Sequence, residues 1–137
     1  MKQLGGVDAT FLYMETPETP MHVAALTLYE PPADFSGSFF EHFKEFFLSR
    51  IHLAPIFEKK LARTVFELDH PGWVDAGELD LDYHLRRVVL PAPGSFEQLE
   101  NLVGELHSAT LDRTRPLWQF TVVEGQDRSQ PLRHERC

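Results

Sequence analysis

Histidine is the residue type in this sequence with the widest catalytic use, because an imidazole can act as a general base near neutral pH or bind a metal ion. The seven histidines are His22, His42, His52, His70, His84, His107 and His134. Their scattered positions form no HExxH or HxH pattern, so we predict no metal site. His22 and His84 fall within predicted strands, where a hydrogen-bonded structural histidine is expected.

Other kinds of chemistry find little support in the sequence. Nucleophilic catalysis is not predicted, because no G-x-S-x-G elbow occurs and Cys137, the single cysteine, stands in no motif. No bound cofactor is predicted, because the sequence contains neither GxGxxG nor a P-loop. Glu78, Asp80 and Asp82 alternate along the chain, which is typical of a solvated edge rather than of a catalytic acid pair.

The composition is that of one soluble globular domain. The chain has 137 residues, a net charge of −8 and 42% hydrophobic residues. A nucleic-acid partner is not expected, because phosphate binding needs a clustered cationic face. No apolar run is long enough to span a membrane and no signal peptide is visible. We therefore expect a cytoplasmic protein, with at most peripheral contact with a membrane or lipid inclusions.

Hydrophobic periodicity predicts an α+β fold with a mixed sheet and packed helices. The predicted helices are Val7–Met14, Ser38–Ile51 and Ser95–Leu111. The predicted strands are Met21–Tyr29, Thr64–Leu68, Tyr83–Leu90 and Arg115–Glu124. The stretch from His70 to Leu79 is predicted to form turns around Trp73.

Both long helices begin with capping signals. Ser38 and Glu41 have the S-x-x-E spacing, and Ser95 and Gln98 the S-x-x-Q spacing. The first of these helices is rich in phenylalanine and could be either a core helix or a membrane-surface anchor. Its polar face carries both signs of charge and few cations, which favours packing in the core.

Two regions, residues 7–32 and 81–125, resemble the bacterial wax ester synthase/diacylglycerol acyltransferase family. Residues 7–32 read VDATFLYMETPETPMHVAALTLYEPP, similar to that family's LDxxFL…ETPxxPMHVGAL…F-x-PP pattern. Residues 81–94 and 106–125 read LDYHLRRVVLPAPG and LHSATLDRTRPLWQFTVVEG, similar to FDLDYHV…LPxPG and LHSxxLDRxRPLWE…LIEGL. The resemblance covers nearly the whole chain from Val7 to Gly125.

The resemblance implies a fold like that of chloramphenicol acetyltransferase and the condensation domains, in which two αβ sandwich lobes enclose the active site. It also implies transfer of a fatty acyl group from acyl-CoA, a co-substrate, to the hydroxyl of a diacylglycerol or a long-chain alcohol. The family's catalytic device is an HHxxxDG motif whose second histidine is the general base.

The family's PLW motif is present as Pro116, Leu117 and Trp118. The resemblance implies that these residues support the substrate site. The alternative is that Pro116 begins a strand and Trp118 fills the core, as would hold equally for an inactive relative.

Smaller features surround these motifs. Arg113 and Arg115, beside Asp112, are expected to orient the turn between helix and strand through ion pairs. Two positions depart from the family pattern, since Ala24 replaces a glycine and Gln119 replaces a glutamate.

The HHxxxDG motif is absent from these 137 residues. After Gly125 the chain reads QDRSQPLRHERC, in which His134 stands alone. We therefore expect residues 1–125 to be an incomplete first lobe and residues 126–137 a polar tail unrelated to the family. On this interpretation the chain is a truncated fragment, inactive alone, with open strand edges and exposed apolar faces.

Two alternatives remain open. The chain could be a non-catalytic module that binds an acyl chain or pairs with the missing remainder of an enzyme. It could also be a decayed gene product with no activity and poor solubility.

Overall fold

The computed structural model describes residues 2–62 and 71–127. Its helices are α1 (Gly6–Met14), α2 (Phe39–Arg50), α3 (Leu81–His84) and α4 (Phe96–Ser108). Its strands are β1 (Lys2–Gln3), β2 (Lys59–Ala62), β3 (Gly72–Asp75), β4 (Leu85–Val89) and β5 (Phe120–Glu124). Two 3₁₀ turns, Ile51–Leu53 and Pro55–Glu58, connect α2 to β2.

The strands form two small sheets. The first is antiparallel with the order β1-β3-β2, and the second is a parallel pair of β4 and β5. In the parallel pair Leu85 lies opposite Phe120 and Val89 opposite Glu124. Parallel neighbours need a crossover connection, and α4 lies within it. The prediction of an α+β fold is confirmed.

The capping signals place the long helices where the sequence predicts them. The Ser38 hydroxyl accepts a hydrogen bond from the Glu41 amide at 3.4 Å at the start of α2. At α4 the capping box is complete, because the Gln98 amide donates to the Ser95 hydroxyl at 3.2 Å and the Ser95 amide donates to the Gln98 side chain at 2.7 Å. The short helix predicted at Val7–Met14 is also confirmed, as α1.

The buried apolar core of the described residues is small. Its side chains come from α1, β4, α4 and the turns beside them, namely Leu4, Ala9, Leu85, Leu90 and Leu99. Several large apolar side chains are exposed instead, among them Val7, Val23 and Tyr29.

The largest error of the sequence prediction concerns the strand at Met21–Tyr29. The structure assigns neither helix nor strand to residues 20–29, and several of their apolar side chains are exposed, with Val23 95% and Tyr29 74% accessible. The apolar pattern of a central strand is real, but a strand also needs a hydrogen-bonding neighbour. No described residue forms a β-ladder with this segment.

Strand pairing and local hydrogen bonds explain the other differences between the predicted and the observed elements. The stretch predicted as turns contains β3, which is a strand because β1 and β2 flank it on both sides. The strand predicted from Tyr83 begins only at Leu85, because the Asp80 carboxylate caps the single helical turn of α3. The last strand begins at Phe120, since the Trp118 amide donates to the Pro116 carbonyl and is not available to a ladder. The strand predicted at Thr64–Leu68 lies outside the described residues.

Candidate functional site

Trp118, the last residue of the PLW motif, lies at the centre of an aromatic cluster. Its ring is stacked on the His84 ring at 4.3 Å between centroids, and it contacts the rings of Phe47 and Phe57 at 5.1 and 5.3 Å. Its indole N–H donates to the Phe57 carbonyl at 2.9 Å. The motif therefore joins α2, α3 and the 3₁₀ turn before β2 at one point.

The phenylalanines of α2 complete this cluster. Phe43 and Phe47 contact the ring of Phe120, the first residue of β5, at 5.8 and 5.4 Å. This face of α2 packs against β5, but none of the residues of α2 is fully buried, so core packing of the Phe-rich helix stays a prediction. Phe46 lies on another face, 52% exposed, with the Arg50 guanidinium 4.0 Å above its ring.

His84 serves the cluster as a structural residue. It is 1% exposed, and its Nδ1 lies 2.8 Å from the Trp118 carbonyl oxygen. A carbonyl only accepts, so Nδ1 carries the ring proton and His84 holds the backbone of the PLW motif in place. The prediction of a hydrogen-bonded structural histidine is confirmed here.

His22 differs from that prediction. Its Nδ1 is buried without a hydrogen-bond partner, and its ring meets the edge of His107 on α4 at 5.0 Å. Within residues 2–62 and 71–127, no group of three or more metal-ligating side chains converges.

Charged groups brace the turn that leads into the PLW motif. Arg115 donates to the Asp80 carboxylate at 2.7 Å, lies 3.5 Å from that of Asp112, and places its guanidinium 4.3 Å from the Tyr83 ring centroid. The hydrogen bond from Arg115 holds the pKa of Asp80 below its ordinary value. Ion pairing at this turn was expected for Arg113 and Arg115 beside Asp112. Arg115 makes this pair, whereas Arg113 pairs with Glu15, and the sequence did not reveal Asp80 as a further partner of Arg115.

The same turn borders a shallow groove of about 180 Å³. Its lining includes His84, Arg115 and Pro116, so one residue of the PLW motif borders the groove. Pro116 itself is buried, while Leu117 and Trp118 are partly buried. Gln119, the residue after the motif, donates from its side-chain amide to the Tyr83 carbonyl at 2.9 Å.

An ion pair between Glu15 and Arg113 joins two stretches that lie far apart in the sequence. One carboxylate oxygen of Glu15 accepts from Arg113 at 3.0 Å, and the other accepts from the Met21 amide at 3.1 Å. Arg113 also donates to the Leu12 carbonyl. Burial raises the pKa of Glu15, but the hydrogen bonds from Met21 and Arg113 outweigh it, so the pKa lies below the ordinary 4.5. The ETP and DRxRPLW stretches are thereby tied together.

Replacing Glu15 by glutamine should destabilise the chain at neutral pH. A glutamine side chain has one acceptor oxygen, so either the Met21 amide or the Arg113 guanidinium would face an NH₂ group. We expect a loss of about 1–2 kcal/mol in urea unfolding near pH 7. The exposed Glu18→Gln in the same turn is the matched control and should change the unfolding midpoint little.

The pH dependence of stability distinguishes an effect of the Glu15 charge from an effect of side-chain packing. Because the folded-state pKa of Glu15 is depressed, its contribution is present above pH 4.5 and is lost as the pH falls through the folded-state pKa. The difference between wild type and Glu15→Gln should therefore narrow on acidification. A difference that stays constant down to about pH 3 would show that the carboxylate charge is not the cause.

Two glycines form a contact that sequence reasoning missed. Gly94, in the LPAPG stretch, has φ +70°, and a Cβ placed on it would lie 1.9 Å from the carbonyl oxygen of Gly125. Gly125 has φ +89° and ends the VVEG stretch. The Asp127 amide donates to the Gly94 carbonyl at 2.8 Å. The sequence could have indicated this contact, because Gly94 ends the LPAPG stretch and Gly125 ends the VVEG stretch.

The described geometry thus brings together the stretches on which the family resemblance rests. Residues 4–131 match the wax ester synthase/diacylglycerol acyltransferase catalytic domain. The chain belongs to this family.

Relatives in the wax ester synthase/diacylglycerol acyltransferase family include two Mycobacterium tuberculosis proteins named for diacylglycerol O-acyltransferase activity. Each is 41% identical to this chain, over 129 and 127 residues, which cover 94% and 93% of this chain. The chain spans only 26% and 27% of the lengths of these relatives.

A solved structure agrees with the family membership. The wax ester synthase/diacylglycerol acyltransferase from Marinobacter aquaeolei VT8 superposes with a TM-score of 0.78 at 31% identity. The match covers 92% of this chain and 30% of that protein. The fold is therefore part of a chloramphenicol acetyltransferase-like αβ sandwich, as the resemblance implied. None of the helices in the described ranges has the length and apolar character needed to cross a membrane.

Proposed function

We propose that this chain supplies part of the first lobe of an acyl-CoA-dependent O-acyltransferase. In the proposed reaction the hydroxyl oxygen of a diacylglycerol or long-chain alcohol attacks the thioester carbonyl of acyl-CoA. The C–S bond breaks, an ester C–O bond forms, and the hydroxyl proton leaves with the CoA thiol. The products are a triacylglycerol or a wax ester and free CoA.

One observation supports this proposal above the others. The PLW motif is held at a groove by the stacked His84 ring, the Trp118 backbone hydrogen bond and the Arg115 ion pairs. A core position would also need its backbone groups hydrogen-bonded, so the support for a site comes from the position of Pro116 beside the groove. We infer that Pro116, Leu117 and Trp118 position one wall of the substrate site, and that His84 acts on that wall as a positioning residue.

We propose that His84, the histidine at the PLW motif, is not the general base for the reaction. Among the described histidines, His84 donates its Nδ1 proton to a backbone carbonyl and is enclosed by aromatic rings. The HHxxxDG motif is absent from the 137 residues. We therefore propose that the remaining part of a family chain provides the base, and that the two parts must associate for turnover. Because the acceptors are insoluble lipids, the assembled enzyme would meet them at a membrane or lipid-inclusion surface.

The proposed function predicts complementation. The purified 137-residue chain should form no triacylglycerol or wax ester from radiolabelled acyl-CoA with diacylglycerol or hexadecanol. The same chain, co-expressed with the part of the Marinobacter protein that lies outside the match, should form one of these esters. That part expressed without this chain is the matched control and should be inactive.

Two outcomes would contradict the proposal in different ways. Ester formation by this chain alone would show that it carries a base of its own. A co-purified but inactive pair, tested with both acceptors, would show that the chain does not support acyl transfer.

A further inference from the structure

Arg115 lies where two separate stretches of the chain meet. Its Nη1 donates to a carboxylate oxygen of Asp80 at 2.7 Å, and its Nε lies 3.5 Å from a carboxylate oxygen of Asp112. The guanidinium also lies 4.3 Å from the centre of the Tyr83 ring. Because the donors of a planar guanidinium point in fixed directions, contacts of this kind hold it in one orientation. Arg115 therefore joins the turn before the PLW motif to the residues that form α3.

Asp80 connects Arg115 to the start of α3. One of its carboxylate oxygens accepts from Arg115, and the other accepts from the Tyr83 amide at 3.2 Å, which is the N-cap bond of the helix. The helix has only four residues. A single helical turn is not stable without contacts from outside it, because helix nucleation is unfavourable. The orientation of α3 thus depends on where Arg115 holds the Asp80 carboxylate.

His84, the last residue of α3, contacts the PLW motif from the other side. Its Nδ1 donates to the Trp118 carbonyl at 2.8 Å, and its ring is stacked on the Trp118 ring. The side-chain amide of Gln119 donates to the Tyr83 carbonyl at 2.9 Å and adds a second link between α3 and the same stretch. Both links lie at the C-terminal end of the motif, whereas Arg115 directly precedes it.

These contacts form a closed cycle that includes the PLW motif, named here the contact cycle. It runs from Arg115 through the Asp80 carboxylate to the start of α3. From the end of α3 it returns through His84 to the backbone of Trp118, three residues after Arg115. In a closed cycle, a displacement at one contact has to be taken up by the others. Pro116, the residue of the motif that borders the groove, stands in the backbone stretch that closes this cycle.

We propose that Arg115 is a positioning residue for the substrate wall that the PLW motif forms. It acts through Asp80 and α3 and keeps the His84 ring where its Nδ1–H meets the Trp118 carbonyl. The backbone of the motif is thereby fixed beside the groove. This inference rests on the proposed function, which gives the motif a substrate to position. The alternative is that Arg115 and Asp80 form an exposed ion pair that stabilises little, as most such pairs do.

The side-chain NMR signals of His84 test the proposal on the 137-residue chain itself. With isotope-labelled histidine, the Nδ1 proton of His84 should exchange with solvent at least about tenfold faster in Arg115→Gln than in the wild type, because the ring loses its fixed position. The matched control is Arg87→Gln, which removes another arginine–carboxylate pair, with Glu124 at 2.6 Å, outside the contact cycle. Equal exchange in wild type and Arg115→Gln, or the same acceleration in Arg87→Gln, would overturn the proposal.

A double substitution separates the ion pair from the helix cap. Asp80→Asn keeps an oxygen that can accept from the Tyr83 amide but removes the charge that holds Arg115. Because both residues act through one contact, the two single variants and the double variant should accelerate exchange of the His84 proton to a similar extent. Additive effects would contradict the contact cycle. Amides of α4 should exchange at unchanged rates in all three variants, and faster exchange there would also contradict it, in favour of a general loss of stability.

The complemented enzyme tests whether the contact cycle matters for the substrate. At equal amounts of assembled complex, kcat for ester formation should fall about tenfold in Arg115→Gln and keep the wild-type value in Arg87→Gln. Arg115→Lys should recover only part of the loss, since an ammonium ion cannot contact Asp80 and Asp112 with the fixed plane of a guanidinium. Unchanged kcat in Arg115→Gln, together with accelerated exchange of the His84 proton, would overturn the positioning role.

The inference and the proposed function fail separately, because the His84 measurement needs no ester formation. An active complex in which Arg115→Gln leaves the His84 exchange unchanged would overturn the role of Arg115 and leave the function standing. A complex that forms no ester, although Arg115→Gln accelerates the His84 exchange, would contradict the function and leave the contact cycle as a structural feature alone.

Discussion

Trp118→Ala should lower the free energy of unfolding by about 3 kcal/mol or more, which is a large share of the 5–15 kcal/mol that usually holds a domain together. The substitution removes the ring that contacts His84, Phe47 and Phe57 and leaves a cavity between α2, α3 and the 3₁₀ turn Pro55–Glu58. It also leaves the Phe57 carbonyl without its indole donor. Urea unfolding followed by far-UV circular dichroism measures the loss without relying on the deleted fluorophore.

Two variants separate packing from hydrogen bonding. Trp118→Phe keeps an aromatic ring and removes the N–H donor, so the loss should be clearly smaller than for alanine, with about 1 kcal/mol of it from the hydrogen bond. Phe46→Ala removes an exposed phenylalanine ring from α2. It should lower the free energy of unfolding by less than either Trp118 variant. If Trp118→Ala cost no more than Phe46→Ala, the aromatic cluster would not be the centre of stability.

The same variants bear on the proposed site. In the complemented enzyme, Trp118→Phe should lower ester formation while the complex still assembles, if the PLW motif positions the substrate wall. Unchanged activity in a folded complex would favour the alternative that Trp118 only fills the core. The role of Pro116, Leu117 and Trp118 in substrate binding stays a prediction until then.

Gly94→Ala should be the most disruptive single methyl addition among the described glycines. The new Cβ would lie 1.9 Å from the Gly125 carbonyl oxygen, and backbone on both sides would have to move apart. That movement would break the hydrogen bond from Asp127 to Gly94 and disturb the one from Leu90 to Glu124. We expect a loss of about 3 kcal/mol or more, since the strain of a positive φ adds to the collision.

Gly77→Ala is the matched control for this variant. Gly77 also has a positive φ, +77°, but nothing lies within 4 Å of a Cβ placed there. Gly77→Ala should therefore lower the free energy of unfolding only by the conformational strain, about 1 kcal/mol. Thermal and urea unfolding of the two variants measure the difference, and equal losses would mean that the close approach of Gly94 and Gly125 does not matter for stability.

The local features of this protein were already determined by its sequence. Ser95 and Gln98 predicted the start of α4, and the phenylalanine spacing predicted the existence of α2. These signals are local, because a cap or a helical face is defined by residues within a few positions of one another. The quoted motifs were long enough to indicate the family, which the match over residues 4–131 confirmed.

Only the tertiary structure decided which distant residues meet. Glu15 bonds to Arg113 across 98 positions, Gly94 lies against Gly125, and Gly72–Asp75 is a strand because two others flank it. The apolar pattern of residues 21–29 specified a strand but could not supply its neighbour. Pairing is a property of two segments, and a pattern in one of them states only what it would bury if the other were present.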